Sequence, residues 1–142
     1  MVDEDQETEL TAAKIGCRGL DHIALRVSSL ALSLPYYEAL LPLLGFAREG
    51  EAAWRNRAGL LLHFSEAEEG ARPYDRFGAG MNHLGFGVPS AASVALVRES
   101  MAASGFAVPE IQAFAGATAL FMKDPDGIRF EVTHEPAGEG SR

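Results

Sequence analysis

Two stretches of the chain, LDHIALRV and MNHLGFGV, each place a histidine third and a valine last; these histidines are His22 and His83. Each half then ends in a run that follows a glycine. His63 and Glu131 each lie four residues after that glycine. Neutral imidazole and carboxylate groups are common ligands of divalent metal ions. A repeat that returns such groups to matching positions predicts a symmetric metal site formed by His22, His63, His83 and Glu131.

Strand periodicity decides which side of a sheet each of these side chains occupies. Successive residues of a strand point to opposite faces. In the strands of His22, His83 and Glu131 the residues of the opposite face are apolar and suit a helix-covered face, whereas the run around His63 is apolar on both faces. One such histidine alone is more often structural, but the matched set in both halves favours a metal site.

The donor set suits Zn²⁺, Ni²⁺, Fe²⁺ or Mn²⁺, any of which could polarise an oxygen atom of a ligand. We predict His63 and Glu131 as catalytic residues, with His63 serving either as a fourth ligand or as a general base. Arg26 shares the face of His22 and either holds an anionic substrate group or is a solvated strand-end residue. Trp54 lies among small residues and is expected to line a pocket or an interface.

Composition limits the classes of function. The chain has 142 residues, a net charge of −8 and no basic run, which disfavours nucleic-acid binding. No apolar stretch approaches the about 18 residues of a membrane span. A single cysteine excludes an internal disulfide framework. The acidic N-terminus is unlike a signal peptide, so we expect a cytoplasmic protein.

Turn and helix signals divide the chain into two similar halves, each with the order β-α-β-β-β. Ser28 or Ser29 and Ser90 are the expected helix caps, and 106–108 is expected to form a short strand. We interpret Phe121 as a core residue. The predicted divisions are an acidic disordered tail (1–17), a first module (18–66), a linker (67–80), a second module (81–135) and a C-terminal tail (136–142). The predicted fold is α+β, with two tandem modules forming a curved, cup-shaped mixed sheet and helices on its outer face.

The motifs DHIALRV, NHLGFGV and KDPDGIRFEVTH, together with the two β-α-β-β-β halves, resemble the vicinal oxygen chelate superfamily. This superfamily includes glyoxalase I, extradiol dioxygenases, fosfomycin-modifying enzymes and bleomycin-binding proteins. The resemblance spans about 20–135. It implies metal ligands on the first and last strands of each module, which here are His22, His63, His83 and Glu131, and it implies a homodimer that acts on a small molecule.

The resemblance leaves the reaction open between a glyoxalase-like lyase or isomerase and a dioxygenase. Proteins similar to bacterial glyoxalase I carry a glutamate where this chain has His63. The trio His22, His83 and Glu131 resembles the two-histidine, one-carboxylate triad of extradiol dioxygenases. The alternative function is a metal-free protein that sequesters a small molecule, as the bleomycin-resistance type does.

Overall fold

The computed structural model describes residues 15–136. The predicted tails at 1–17 and 136–142 therefore lie outside the described residues, apart from 15–17 and 136. The elements are β1 (His22–Val27), α1 (Leu30–Leu40), a 3-10 helix (Leu41–Leu44), β2 (Ala47–Gly50), β3 (Ala53–Arg55), β4 (Leu61–Glu66), β5 (Leu84–Gly87), α2 (Ala91–Ala103), β6 (Gln112–Phe114), β7 (Ala117–Lys123) and β8 (Arg129–His134).

The strands form two four-stranded sheets with equivalent topology. The orders are β1-β4-β3-β2 and β5-β8-β7-β6. In each sheet the first strand pairs in parallel with the last strand of its module, and the remaining neighbours are antiparallel. This arrangement confirms the predicted α+β fold of two tandem β-α-β-β-β modules. It also leaves β1 and β5 at the edges of their sheets.

The same local devices start and stop the two long helices. The hydroxyls of Ser29 and Ser90 each accept a backbone N–H three residues further on, which caps α1 and α2. Gly45 and Gly105 follow the helical segments with φ angles of 87° and 91°, values that glycine adopts without strain. Within 15–136 neither helix has the length and apolar character needed to cross a membrane.

The strand expected at 106–108 is absent, and the edge strand β6 forms later, at Gln112–Phe114. Phe106 and Val108 still pack against the core, but from an irregular segment. Pro109 follows directly and has no N–H to donate to a neighbouring strand. The alternation of apolar residues at 106–108 therefore reflects burial of Phe106 and Val108 and does not indicate a strand.

The two modules share a single core, because α1 of the first module packs on the second module. The ring of Tyr36 contacts Phe106 and Phe130 edge-on, with centroid distances of 4.9 and 5.9 Å. Phe46 meets Phe86 in the same way at 6.0 Å. Such edge-to-face contacts add to the stabilisation from apolar burial. The helix-covered faces of both sheets are therefore filled by core side chains of the two modules.

The tight turn DPDG, which precedes β8, also joins the modules. The Asp124 carboxylate is buried and accepts the N–H groups of Asp126 and Ile128 and the hydroxyl of Tyr37, the last at 2.7 Å. The Asp126 carboxylate accepts the N–H of Ser28 at 2.9 Å. Burial raises the pKa of Asp124 above its usual range, even though these donors oppose the shift. The turn of the second module is thus hydrogen-bonded both to Ser28, just before α1, and to Tyr37 within α1.

Candidate metal and substrate site

The predicted ligands lie on the sheet faces that the helices do not cover. In β1 the residues of the His22 face are exposed, while the alternate residues are half-buried or buried. In β8 the half-buried Glu131 lies between the buried Phe130 and Val132. The strand of His63, which is apolar on both faces in sequence, follows the same rule, because its neighbours are buried and His63 itself is half-buried. Strand alternation therefore predicts these faces correctly.

The four side chains form two pairs at equivalent places. His63 is in register with the residue two positions after His22, and Glu131 with the residue two positions after His83. The rings of His22 and His63 are 6.0 Å apart between centroids, and we call these residues the two-histidine pair. His83 Nε2 lies 3.9 Å from Glu131 Oε1, and we call these residues the histidine–glutamate pair.

One chain does not bring the two pairs together. Among residues 15–136 no group of three or more histidine, cysteine, aspartate or glutamate side chains is arranged to hold a metal ion. Each pair alone offers only two donors, whereas a structural or catalytic site for the candidate ions needs at least three. The donor chemistry suits such an ion, but each sheet of the described chain brings only two of the candidate donors together.

The residue before each first-strand histidine fixes the orientation of its ring. His22 Nδ1 lies 2.8 Å from the Asp21 carboxylate, and His83 Nδ1 lies 2.7 Å from the side-chain oxygen of Asn82. The Asn82 amide in turn donates to the carbonyl of Arg76 at 2.9 Å, so its oxygen is the atom that faces His83. An oxygen partner at Nδ1 favours the tautomer with the proton there and leaves Nε2 free as a ligand. The "DH" and "NH" pairs are visible in sequence, but this role was not predicted.

Glycines leave space beside the histidine–glutamate pair. A Cβ atom at Gly85 would lie 3.4 Å from Glu131 Oε1, at the near limit of ordinary van der Waals contact. A Cβ at Gly87 would meet nothing within 4 Å. Gly85 thus lets Glu131 lie close to β5, and Gly87 leaves open space over the same face.

The structure separates the two residues expected to contact substrate. Arg26 is exposed on the His22 face and donates to the carbonyl of Glu66 at 2.8 Å. Trp54 is 1% exposed, and it lies in register with Leu62 on the helix-covered face. Its ring packs edge-on against Phe64. Because Trp54 is enclosed in the core, its position gives no support to the expected contact with substrate.

An aromatic pair near Glu131 was missed by sequence reasoning. Phe121, which we interpreted as a core residue, lies in register with Glu131 on the uncovered face of the second sheet. Its ring is parallel to that of Phe114, with 15° between the planes and 6.4 Å between centroids. Phe114 is 52% exposed. The two-residue spacing from Phe121 to the polar Lys123 could have placed this side chain on the face opposite Leu120 and Met122.

The two β-α-β-β-β modules, each with a pair of candidate donors on its uncovered face, are the features to compare with known proteins. A family model described as the Glyoxalase/Bleomycin resistance protein/Dioxygenase superfamily matches residues 19–132, and the chain belongs to this superfamily. No curated protein sequence matches the chain significantly.

Solved structures with low sequence identity share the fold. A glyoxylase/bleomycin resistance protein/dioxygenase domain from Frankia has a TM-score of 0.70 and 23% identity, over 85% of this chain and 100% of that chain. A fosfomycin resistance protein from Listeria monocytogenes has a TM-score of 0.62 and 18% identity, over 85% of this chain and 96% of that chain. A lactoylglutathione lyase from Agrobacterium tumefaciens has a TM-score of 0.59 and 19% identity, over 84% of this chain and 95% of that chain. These likenesses establish the fold and leave the activity to be argued from the site.

Proposed function

We propose that this protein is a metal-dependent enzyme of the vicinal oxygen chelate type, acting on a small oxygen-bearing substrate as a homodimer. Each metal site would combine the two-histidine pair of one chain with the histidine–glutamate pair of a second copy. The observation that carries the proposal is the equivalence of the two pairs, which occupy matching register positions but are not gathered within one chain.

The free sheet edges support a site completed by a second copy. β1 and β5, which begin at or just after the histidines, each have an unpaired edge in the described part of the chain. If β1 of one chain lies beside β5 of another, the two pairs face one another over a continuous surface. A two-fold axis then generates a second identical site. The same contact would cover two strand edges that are otherwise open to aggregation.

The donor chemistry also supports the proposal. The oxygen partners at Nδ1 leave Nε2 of His22 and His83 available, and His83 Nε2 already faces the Glu131 carboxylate. Three neutral imidazoles and one carboxylate suit Zn²⁺, Ni²⁺, Fe²⁺ or Mn²⁺. When bound, such an ion would act as a Lewis acid on oxygen atoms of the substrate.

The remaining chemistry belongs to the side chains of the chain itself. Glu131 and the neutral ring of His63 are the groups at the site that can accept a proton. Lyase or isomerase chemistry would use His63 as the base, whereas dioxygenase chemistry would use His22, His83 and Glu131 as ligands. Arg26, exposed on the same face as His22, could bind an anionic group of the substrate.

A complementation experiment tests both the metal and the shared site. One variant carries His22→Ala and His63→Ala, and the other carries His83→Ala and Glu131→Ala. The two chains are co-expressed with different affinity tags, and the mixed dimer is isolated with both. A mixed dimer with shared sites has one intact site and one site without any ligand. We expect bound metal in the mixed dimer at half the wild-type content and none in either variant homodimer.

Each other outcome has a defined meaning. If the sites lie within single chains, the mixed dimer binds no metal although the wild type does. If the wild type binds no transition metal on titration, the proposal fails and the alternative of a metal-free binding protein stands. A wild type that sediments as a monomer at micromolar concentration also contradicts the shared site.

A further inference from the structure

We propose that Phe114 and Phe121 form a subsite for an aromatic ring, or another flat apolar group, of the substrate. This inference rests on the proposed function, because it places the subsite beside the histidine–glutamate pair. It narrows the substrate class to molecules that join two metal-binding oxygens to a flat apolar group.

The two rings are held as a stacked pair by the local structure. Phe114 ends β6 and lies in register with Ala117 across a two-residue turn formed by Ala115 and Gly116. Both turn residues have positive φ angles, 50° and 81°, which is typical of the tight turns that suit the twist of a hairpin. Phe121 is four residues further along β7, on the same face. The turn therefore sets the distance between the rings.

The rings lie on the face of the second sheet that is opposite the core. On this face of β7, Ala119 lies between Phe121 and Ala117, the residue in register with Phe114, and it is fully buried. The core lies on the opposite face, where Leu120 and Met122 are buried under α2. Phe114 is 52% exposed, so much of its ring surface faces solvent. Exposed aromatic surface of this kind gains stabilisation when a ligand covers it.

The subsite is next to the proposed metal ligands. Phe121 and Glu131 are directly opposite each other on neighbouring strands, so their Cβ atoms are separated by about 4.5–5.5 Å. On the other side of Glu131, Gly85 and Gly87 carry no side chains that could obstruct this face. A substrate whose oxygens are held near Glu131 would therefore extend its next group over Phe121 and towards Phe114.

Two hydroxamates provide a matched test. Benzohydroxamate and acetohydroxamate present the same two oxygens to a metal ion and differ only in a phenyl or a methyl group. Their affinities are measured by calorimetry for the protein loaded with the ion that it binds in the complementation experiment. We expect the wild type to bind benzohydroxamate at least about tenfold more tightly than acetohydroxamate.

Two variants of the aromatic pair and one control complete the test. Phe114→Ala and Phe121→Leu should reduce the preference for the phenyl compound to less than about threefold, with the affinity for acetohydroxamate unchanged. Leu96→Ala removes an exposed apolar side chain (59% exposed) from α2, on the helix side of the sheet, and should leave the preference intact. Phe121→Leu retains apolar volume, so the fold is kept if Phe121 packs partly against its neighbours.

The outcomes separate this proposal from the one on which it rests. If the wild type binds both hydroxamates with equal affinity, the subsite is wrong and the metal site stands. If the two phenylalanine variants keep the phenyl preference, or lose the dimer, the assignment of the rings to substrate is overturned. If the wild type binds neither hydroxamate, the metal site itself fails and the subsite fails with it.

Discussion

The two modules have the same strand order and place their donor pairs at the same register, yet their uncovered faces differ. The first module presents two histidines beside Ala24 and Arg26, and its single tryptophan, Trp54, is buried. The second presents a histidine and a glutamate beside two glycines and a pair of accessible phenylalanines. The repeated backbone therefore determines where the candidate ligands lie, whereas the unequal side chains determine what each module can contribute.

The placement of aromatic residues gives the largest expected contrast. Trp54→Ala should lower the free energy of unfolding by about 3–5 kcal/mol, because it leaves a large cavity in the shared core. Phe114→Ala should change the same quantity by less than about 0.5 kcal/mol, because that ring is more than half exposed. Urea denaturation followed by circular dichroism measures both. Similar losses in the two variants would contradict the division between core and substrate face.

The donor pairs provide the second test of the comparison. Glu131→Gln removes the only carboxylate among the four proposed ligands. It should weaken metal binding by more than about a hundredfold, which exceeds the usual effect of losing a residue that only orients a ligand. His63→Glu makes the two modules alike and should retain tight binding. Metal titration with a competing chelator measures both affinities. A Glu131→Gln protein that binds metal as the wild type does would remove Glu131 from the ligand set.

The residues that orient the histidines should differ in effect between the modules. Asn82→Ala should reduce metal affinity about 10- to 100-fold, because Asn82 is itself fixed by a hydrogen bond to the Arg76 carbonyl. Asp21→Ala should have a smaller effect, because the Asp21 side chain is 84% exposed and water can replace it. The same chelator competition ranks the two variants. A larger effect of Asp21→Ala would reverse this part of the comparison.

The contact between the modules can be broken with two neighbouring tyrosines. Tyr37→Phe removes the hydroxyl that donates to the buried Asp124 and should cost about 1.5–3 kcal/mol of unfolding free energy. Tyr36→Phe removes a buried hydroxyl that has no hydrogen-bond partner among the described residues, and it should cost less than about 0.5 kcal/mol. Urea denaturation of both variants checks the difference. Equal costs would show that the Asp124 contact does not hold the modules together.

A pH dependence at Asp124 is the smallest expected effect. Burial raises the pKa of Asp124 above its ordinary value of 3.8, so the folded protein keeps this proton to a higher pH than the unfolded chain does. Stability from this group is therefore fullest below that ordinary value and falls as pH rises through the folded pKa. The unfolding free energy of the wild type relative to Asp124→Asn should decrease over this range. If the unfolding free energy of the wild type relative to Asp124→Asn rises with pH instead, the raised pKa of Asp124 is contradicted.

Much of the fold followed from local signals in the sequence. The serine caps at 29 and 90, the glycines after the helices and the DPDG turn each act through nearby backbone groups, so they can be recognised without tertiary information. The prediction of a strand at 106–108 was wrong, because Phe106 and Val108 pack against the core without pairing with another strand. The burial of Trp54 could not be predicted either, since its small neighbours in the sequence say nothing about what covers the ring.

The sequence was enough to predict the two-module α+β fold and the faces on which His22, His83 and Glu131 lie, because the two-residue period of a strand is a local property. The tertiary structure was needed to show that these residues form two separate pairs and that β1 and β5 are sheet edges. Those relations join residues far apart in the chain. They depend on register and on the packing of one module against the other, which no local pattern specifies.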